Sequence, residues 1–242
     1  MNELDPIIYT IRPGDTLYNL AMQYGTTVDE LINTNLALNP YNLRVGQQIY
    51  IYPRYNMPSQ DYWISVNQVD LANRMNLAWL EHIMWTRMFL ISVAGELKDL
   101  EATKNRLLQN PKTIADVFRK YYGNDIANSI QRLITEHLVI GGDLIVALKN
   151  NNEKLANELS TKWYRNADEM AEAFSKINPF YSKEEVRRML YEHLRLTSEE
   201  VENRLKGRYE ADIRSYEKIQ NEILMMSEFF VNGIVKQFPN LF

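Results

Sequence analysis

A change of hydrophobic period a little past residue 60 constrains this chain more than any other feature of its sequence. Before it lie two short β-branched and aromatic segments, Ile7 to Ile11 and Gln48 to Tyr52, the second alternating at the two-residue period of a strand. Beyond residue 64 that alternation is almost gone, and apolar residues recur every three to four positions. One pattern cannot serve both a half-buried strand and an amphipathic helix. The 242 residues are therefore expected to divide into an α+β module at 7–53, a linker rich in Pro, Asn, Ser, Gln and Tyr at 54–62, and an all-α bundle domain at 63–242.

Within the module the first strand runs into Pro13-Gly14. Thr16 then caps a helix with Leu17, Leu20, Ala21 and Tyr24 at helical spacing, which Gly25 closes. Val28, Leu31 and Ile32 give a second short helix that starts near Thr27 and fades at Asn33 to Asn35, and the second strand ends before Pro53. The order is β-α-α-β. In the remainder the spacing predicts helices over 64–100, 112–121, 124–150, 152–177, 182–194 and 197–237. Their punctuation is Asn110-Pro111, Gly123-Asn124, Ser182 with Glu185, and Thr197 with Glu200. The last helix carries the clearest stripe, from Val201, Leu205 and Tyr209 through Ile219, Ile223 and Met226 to Phe230 and Ile234.

A formal net charge of -4 and a pI near 5.5 argue against nucleic acid as a partner. Zero cysteines exclude disulfides, thiolate metal sites and a Cys nucleophile. The first six residues lack the cationic start and apolar run of a secretory signal, and Ile83 to Ala94 is too short and mixed to span a bilayer. The expectation is cytoplasmic synthesis without a signal peptide and no membrane span.

The module has its own signature: Tyr9-x-Ile11-x-x-Gly14-Asp15-Thr16-Leu17-x-x-Leu20-Ala21-x-x-Tyr24-Gly25, then Leu31-x-x-x-Asn35, then Leu43-x-x-Gly46-Gln47-x-Ile49-x-Ile51. It resembles the LysM family at nearly every signature position, with Tyr18 where Trp is common and Tyr52-Pro53 where the strand often ends Ile-Pro. That resemblance implies binding to the N-acetylglucosamine units of peptidoglycan or chitin in a groove between two loops. Gly14, Asp15, Thr16 and Leu17 would form one side, and Asn39, Pro40, Tyr41, Asn42 and Leu43 the other. Backbone amides of tight loops suit an N-acetyl group, while Leu17, Pro40, Tyr41 and Leu43 would cover its methyl and the sugar face. The same residues also read simply as turn formers and, for Leu17, as core.

All three histidines follow a glutamate and fall on apolar faces. His82 has Met75, Ala78, Trp79, Trp85 and Phe89 at helical offsets, and His137 has Ile130, Leu133, Ile134, Ile140 and Leu144. His193 follows Met189 and Leu190, Asp212 interrupts the last stripe, Asn166 sits in line with Leu159, Trp163 and Met170, and Asp143 lies one turn beyond Ile140. Buried polar groups must satisfy one another, bind water or hold something. Two readings follow: a hydrogen-bonded network that fixes helix register, or a divalent metal held by His82, His137, His193, Asp143 and Asp212. The first is favoured, because neither Glu-x-x-His nor His-x-x-x-His occurs. Acid–base catalysis by His137 or His193 lacks a legible nucleophile. Gly141-Gly142 follows no strand and precedes no Lys-Ser/Thr, so it is no phosphate loop.

Segments around Trp85-Thr86-Arg87, Thr135 to Leu144, Trp163 to Glu169 and Met189 to Thr197 resemble an all-helical bacterial family found alone or joined to LysM, which implies no particular chemistry. The expectation is a non-catalytic wall or spore-coat protein, anchored to glycan, whose bundle is a structural body or a binding site for other coat or wall proteins. The alternative is a metal-binding bundle enzyme delivered by LysM.

Overall fold

The computed structural model describes residues 6–36, 38–39, 43–52 and 65–242, apart from the side chain of Met22. The chain forms two compact units, Met1–Trp63 and Ile64–Phe242.

In the first unit, strand β1 (Ile7–Thr10) pairs antiparallel with β2 (Gln48–Ile51), Ile7 opposite Ile51 and Tyr9 opposite Ile49. Between them run helices α1 (Leu17–Tyr24) and α2 (Val28–Thr34). Thr16 Oγ1 accepts from the Asn19 backbone at 3.0 Å, and Thr27 and Glu30 form a reciprocal capping box at the start of α2. The helices lay Leu17, Leu20, Ala21 and Leu31 against Ile11, Leu38, Ile49 and Ile51, which is a complete small core. Asn35 ties it shut: Nδ2 donates to Leu31 O and Tyr50 O, and Oδ1 accepts from Tyr50 N, each at 2.8 Å.

The second unit consists of α3 (Val66–Gly95), α4 (Leu100–Leu107), α5 (Asn110–Lys149), α6 (Glu153–Ile177), α7 (Lys183–Leu205) and α8 (Tyr209–Gln237), then a 3-10 turn, Pro239–Leu241. The packing pairs α3·α5, α5·α6, α6·α7, α7·α8 and α8·α3 close a ring, and α4 packs on α3. Polar side chains on inward faces of α3, α5 and α7 are thereby brought together.

Two helix boundaries differ from the periodicity, and a third holds. The first long helix stops at Gly95, because Glu96 turns left-handed at φ 52° and Leu97 N bonds back to Ser92 O at 3.0 Å. Ser92 Oγ donates to Asp99 Oδ1 at 2.8 Å, and α4 follows where the sequence suggested the tail of one helix and a loop. As the punctuation at Asn110-Pro111 and Gly123-Asn124 predicts, α5 begins at Asn110 with Pro111 in its first turn and breaks at Gly123, whose φ of 79° suits glycine. Finally, the break expected near residue 195 falls at Gly207. Thr197 and Glu200 do not form a capping box; both are buried inside α7, and Glu200 pairs with Arg87. The stripe from Val201 to Ile234 is thus two helices meeting at a turn.

Candidate functional site

The first candidate lies at the end of the small sheet where β1 exits and β2 is approached. Ile11 N donates to Gln47 O and Gly46 N to Ile11 O, both at 2.8 Å, so the turn before β2 is pinned beside the chain leaving β1. Asp15 builds the neighbouring corner: its Oδ2 accepts from Tyr9 Oη at 2.8 Å and from Arg12 N at 2.7 Å. Gly14 and Gly46, both at φ 87°, let the backbone turn. Gly14 and Asn39 are exposed, Asp15 and Thr16 half-exposed, and Leu43 half-buried against the module's core. Leu17 needs correction as a sugar contact. The residue is 1% exposed and its side chain fills the core, so it shapes the corner from beneath and does not cover a sugar face. Pro40, Tyr41 and Asn42 lie outside the described residues.

The second candidate is in the helical unit. His82 on α3, His137 on α5 and His193 on α7 are all buried, and their ring centroids are 5.7 to 6.2 Å apart. One nitrogen from each lies within 4.8 Å of the other two. His82 Nδ1 is 3.0 Å from Asn110 Oδ1, and Asn110 Nδ2 donates to Ala78 O at 2.8 Å. His193 Nδ1 is 3.0 Å from Glu222 Oε2. His137 is held differently: Trp163 Nε1 donates to its backbone oxygen at 3.0 Å, and the indole lies 5.1 Å from its ring. Asn166 Nδ2 donates to Leu133 O at 3.2 Å. Among the described residues Glu222 Oε1 has no hydrogen-bond partner, and the Asn166 side chain neighbours His137 as a long hydrogen-bond partner that raises its affinity for a proton.

Burial dominates the electrostatics here. It holds the His82 imidazole down at about 3, with neighbouring His193 adding to the effect, and it lowers His137 well below the ordinary histidine range. It also raises the Glu222 carboxyl.

The two carboxylates expected beside these rings are elsewhere. Asp143 is exposed: the buried stripe of α5 runs through His137, Leu138, Gly141, Leu144 and Ile145, and Asp143 falls beside it. Asp212 is fully buried but bound to arginine, with Arg87 Nη1 at 2.7 Å, Arg87 Nη2 at 3.2 Å and Arg204 Nη1 at 3.4 Å. Arg87 also pairs with Glu200, whose carboxyl burial pushes up to about 7 against the pull of Arg87. Glu222, Asn110, Glu200 and Arg87 were missed as interior polar groups. A signal for Glu222 existed: it stands three residues after Ile219 and four before Met226, on the stripe itself.

The model of one protein family, the LysM domain, matches residues 9–51. Over 42 residues the chain is 43% identical to the uncharacterized lipoprotein YgeR of Escherichia coli (strain K12), and over 44 residues it is 48% identical to the cortical fragment-lytic enzyme of Bacillus subtilis (strain 168). These matches lie in the LysM stretch, take in 17% and 18% of this chain, and span only 17% and 10% of the two relatives' lengths. No solved structure matches the chain. With its two corners pinned at one end of a β-α-α-β core, the stretch from residue 9 to 51 is a LysM domain, a module that supports binding to peptidoglycan and carbohydrate in general.

Proposed function

We propose that this chain is a non-catalytic, wall-associated bacterial protein that binds N-acetylglucosamine-containing glycan through residues 9–51 and carries its helical unit as a structural or partner-binding body. The observation behind this reading is the LysM match, joined to the exposed Gly14 and Asn39 and the half-exposed Asp15 and Thr16 at one end of the sheet. Such corners offer backbone amides and short polar side chains to an acetamido group and require no catalytic residue. The LysM match supports peptidoglycan as the glycan, and we place the chain at a spore or cell wall on that ground. In the helical unit the buried carboxylates Glu200 and Asp212 are both engaged by Arg87, which suits a structural role better than a pair of catalytic acids.

Co-sedimentation with purified peptidoglycan tests the proposal. The full chain is expected in the pellet, released by soluble N-acetylglucosamine oligomers, and a chain lacking residues 1–62 is expected in the supernatant. Equal pelleting of both chains, or none of either, would overturn it.

A further inference from the structure

We propose that His82, His137 and His193 form a binding site for one transition-metal cation of the zinc type, with a fourth coordination position open to the adjoining cavity. This inference goes beyond glycan binding and stands independently of it.

The geometry comes first. Three imidazoles from three different helices converge where α3, α5 and α7 face one another, with one nitrogen from each inside a triangle of edge 4.8 Å or less. The centre of such a triangle is no more than about 2.8 Å from each nitrogen, so zinc–imidazole bonds of about 2.0–2.1 Å need each ring to advance by less than about 1 Å. Three imidazoles without a thiolate suit zinc, copper, iron or nickel rather than magnesium or calcium.

The hydrogen bonds around the rings select the ligating atoms. Asn110 Nδ2 is committed to Ala78 O, which leaves Oδ1, an acceptor, facing His82 Nδ1. His82 must therefore donate from Nδ1 and keep its lone pair on Nε2. Glu222 Oε2 does the same for His193 Nδ1. A carboxylate or carboxamide oxygen accepting the outer N–H of an inward imidazole is the arrangement by which metal-binding histidines are oriented. Although burial favours its neutral form, Glu222 can supply negative charge once a divalent cation is bound beside His193, and its Oε1 is without a partner among the described residues.

The cavity is the third observation. His82, His137 and His193 share a cavity of about 30 Å³ whose wall includes Phe89, Trp163 and Thr197. A water needs roughly 10–15 Å³ of such space, so an ion with one bound water fits. Three protein ligands leave one coordination position for a water or for a ligand brought by a partner.

The test uses the full-length chain without a polyhistidine tag, stripped with chelator and titrated with Zn²⁺ and separately with Co²⁺. One equivalent of Zn²⁺ is expected, with a raised melting temperature, and Co²⁺ should give the visible bands of a four-coordinate site. Binding should be lost in His137→Ala and His193→Gln and weakened about tenfold in Glu222→Gln. Zinc-edge X-ray absorption on the wild-type chain keeps the result decisive should the histidine variants fail to fold, and three imidazole ligands are expected there. Less than a tenth of an equivalent bound, affinity unchanged in folded histidine variants, or a zinc shell without imidazole would overturn the proposal.

Discussion

Replacing Gly233 by alanine tests the packing of the helical unit where its glycines meet their closest neighbour. A Cβ added there would stand 2.0 Å from Tyr181 Cε1, 2.7 Å from Cδ1 and 2.8 Å from Cζ. The tyrosine cannot simply step aside. Its ring is 2% exposed, lies 5.2 Å from Phe230 and 5.4 Å from Phe229, and its hydroxyl donates to Phe230 O at 2.6 Å. Overpacking of this kind costs about 1–3 kcal/mol, and a strained or broken hydrogen bond adds about 1 kcal/mol. Alanine's better helix propensity returns about 1 kcal/mol. The net expectation is a loss of about 1–3 kcal/mol, a fall in melting temperature of roughly 3–10 °C for a unit of this size. Gly142 supplies the control, since its added Cβ would meet Phe89 at 3.5 and 3.7 Å, ordinary contact distances. Gly142→Ala should be neutral or stabilising by up to about 1 kcal/mol. Circular-dichroism melts and urea titrations of both variants measure the difference. If the two agree within about 0.5 kcal/mol, the argument from close packing is refuted.

Arg87→Ala strips Asp212 and Glu200 of their shared cation and should destabilise the helical unit by about 3–5 kcal/mol. Burial raises the Glu200 carboxyl to about 7, above its unfolded value, so ionising it opposes folding as pH rises; urea titrations should show a smaller loss at pH 5 than at pH 8. His82 has the opposite sign: its folded value of about 3 lies below the unfolded 6.5, so the stability it contributes is present above 6.5 and is lost as pH falls toward 3. The metal-free chain should lose about 2 kcal/mol from this group by pH 5, measured by urea titration, and His82→Gln should flatten that part of the profile. Asn35→Ala removes the ties from the end of α2 to Tyr50, and retention on peptidoglycan should fall along with the amide protection of β2 measured by hydrogen exchange.

The parts of the structure that were legible in the sequence are those whose signals are local. The Gly14-Asp15-Thr16-Leu17 corner, the Gly46-Gln47 turn and the alternation through Ile49 and Ile51 specify the β-α-α-β module. Helical spacing also placed His82, His137, His193 and Asn166 inside, where they are. What escaped depends on tertiary partners. Glu96 adopts a left-handed turn usually given to Gly or Asn, so nothing at that position announces the end of α3. Thr197 with Glu200 has the spelling of a cap, but a partly buried arginine from another helix claims the glutamate. Asp212 was rightly read as interior, yet its partner, Arg87, lies 125 residues away and decides that it is an ion pair instead of a ligand. Asn110 has the form of a helix-start residue and is in fact the acceptor that orients His82.

Glycan recognition by the first unit is tested most directly by amide chemical shifts of the ¹⁵N-labelled full chain during titration with an N-acetylglucosamine tetramer. Shifts confined to Gly14, Asp15, Thr16, Leu17, Asn39 and Leu43 and their immediate neighbours are expected, with the amides of residues 65–242 unmoved. A spectrum that stays unchanged at millimolar sugar, or one that moves only in the helical unit, would contradict it.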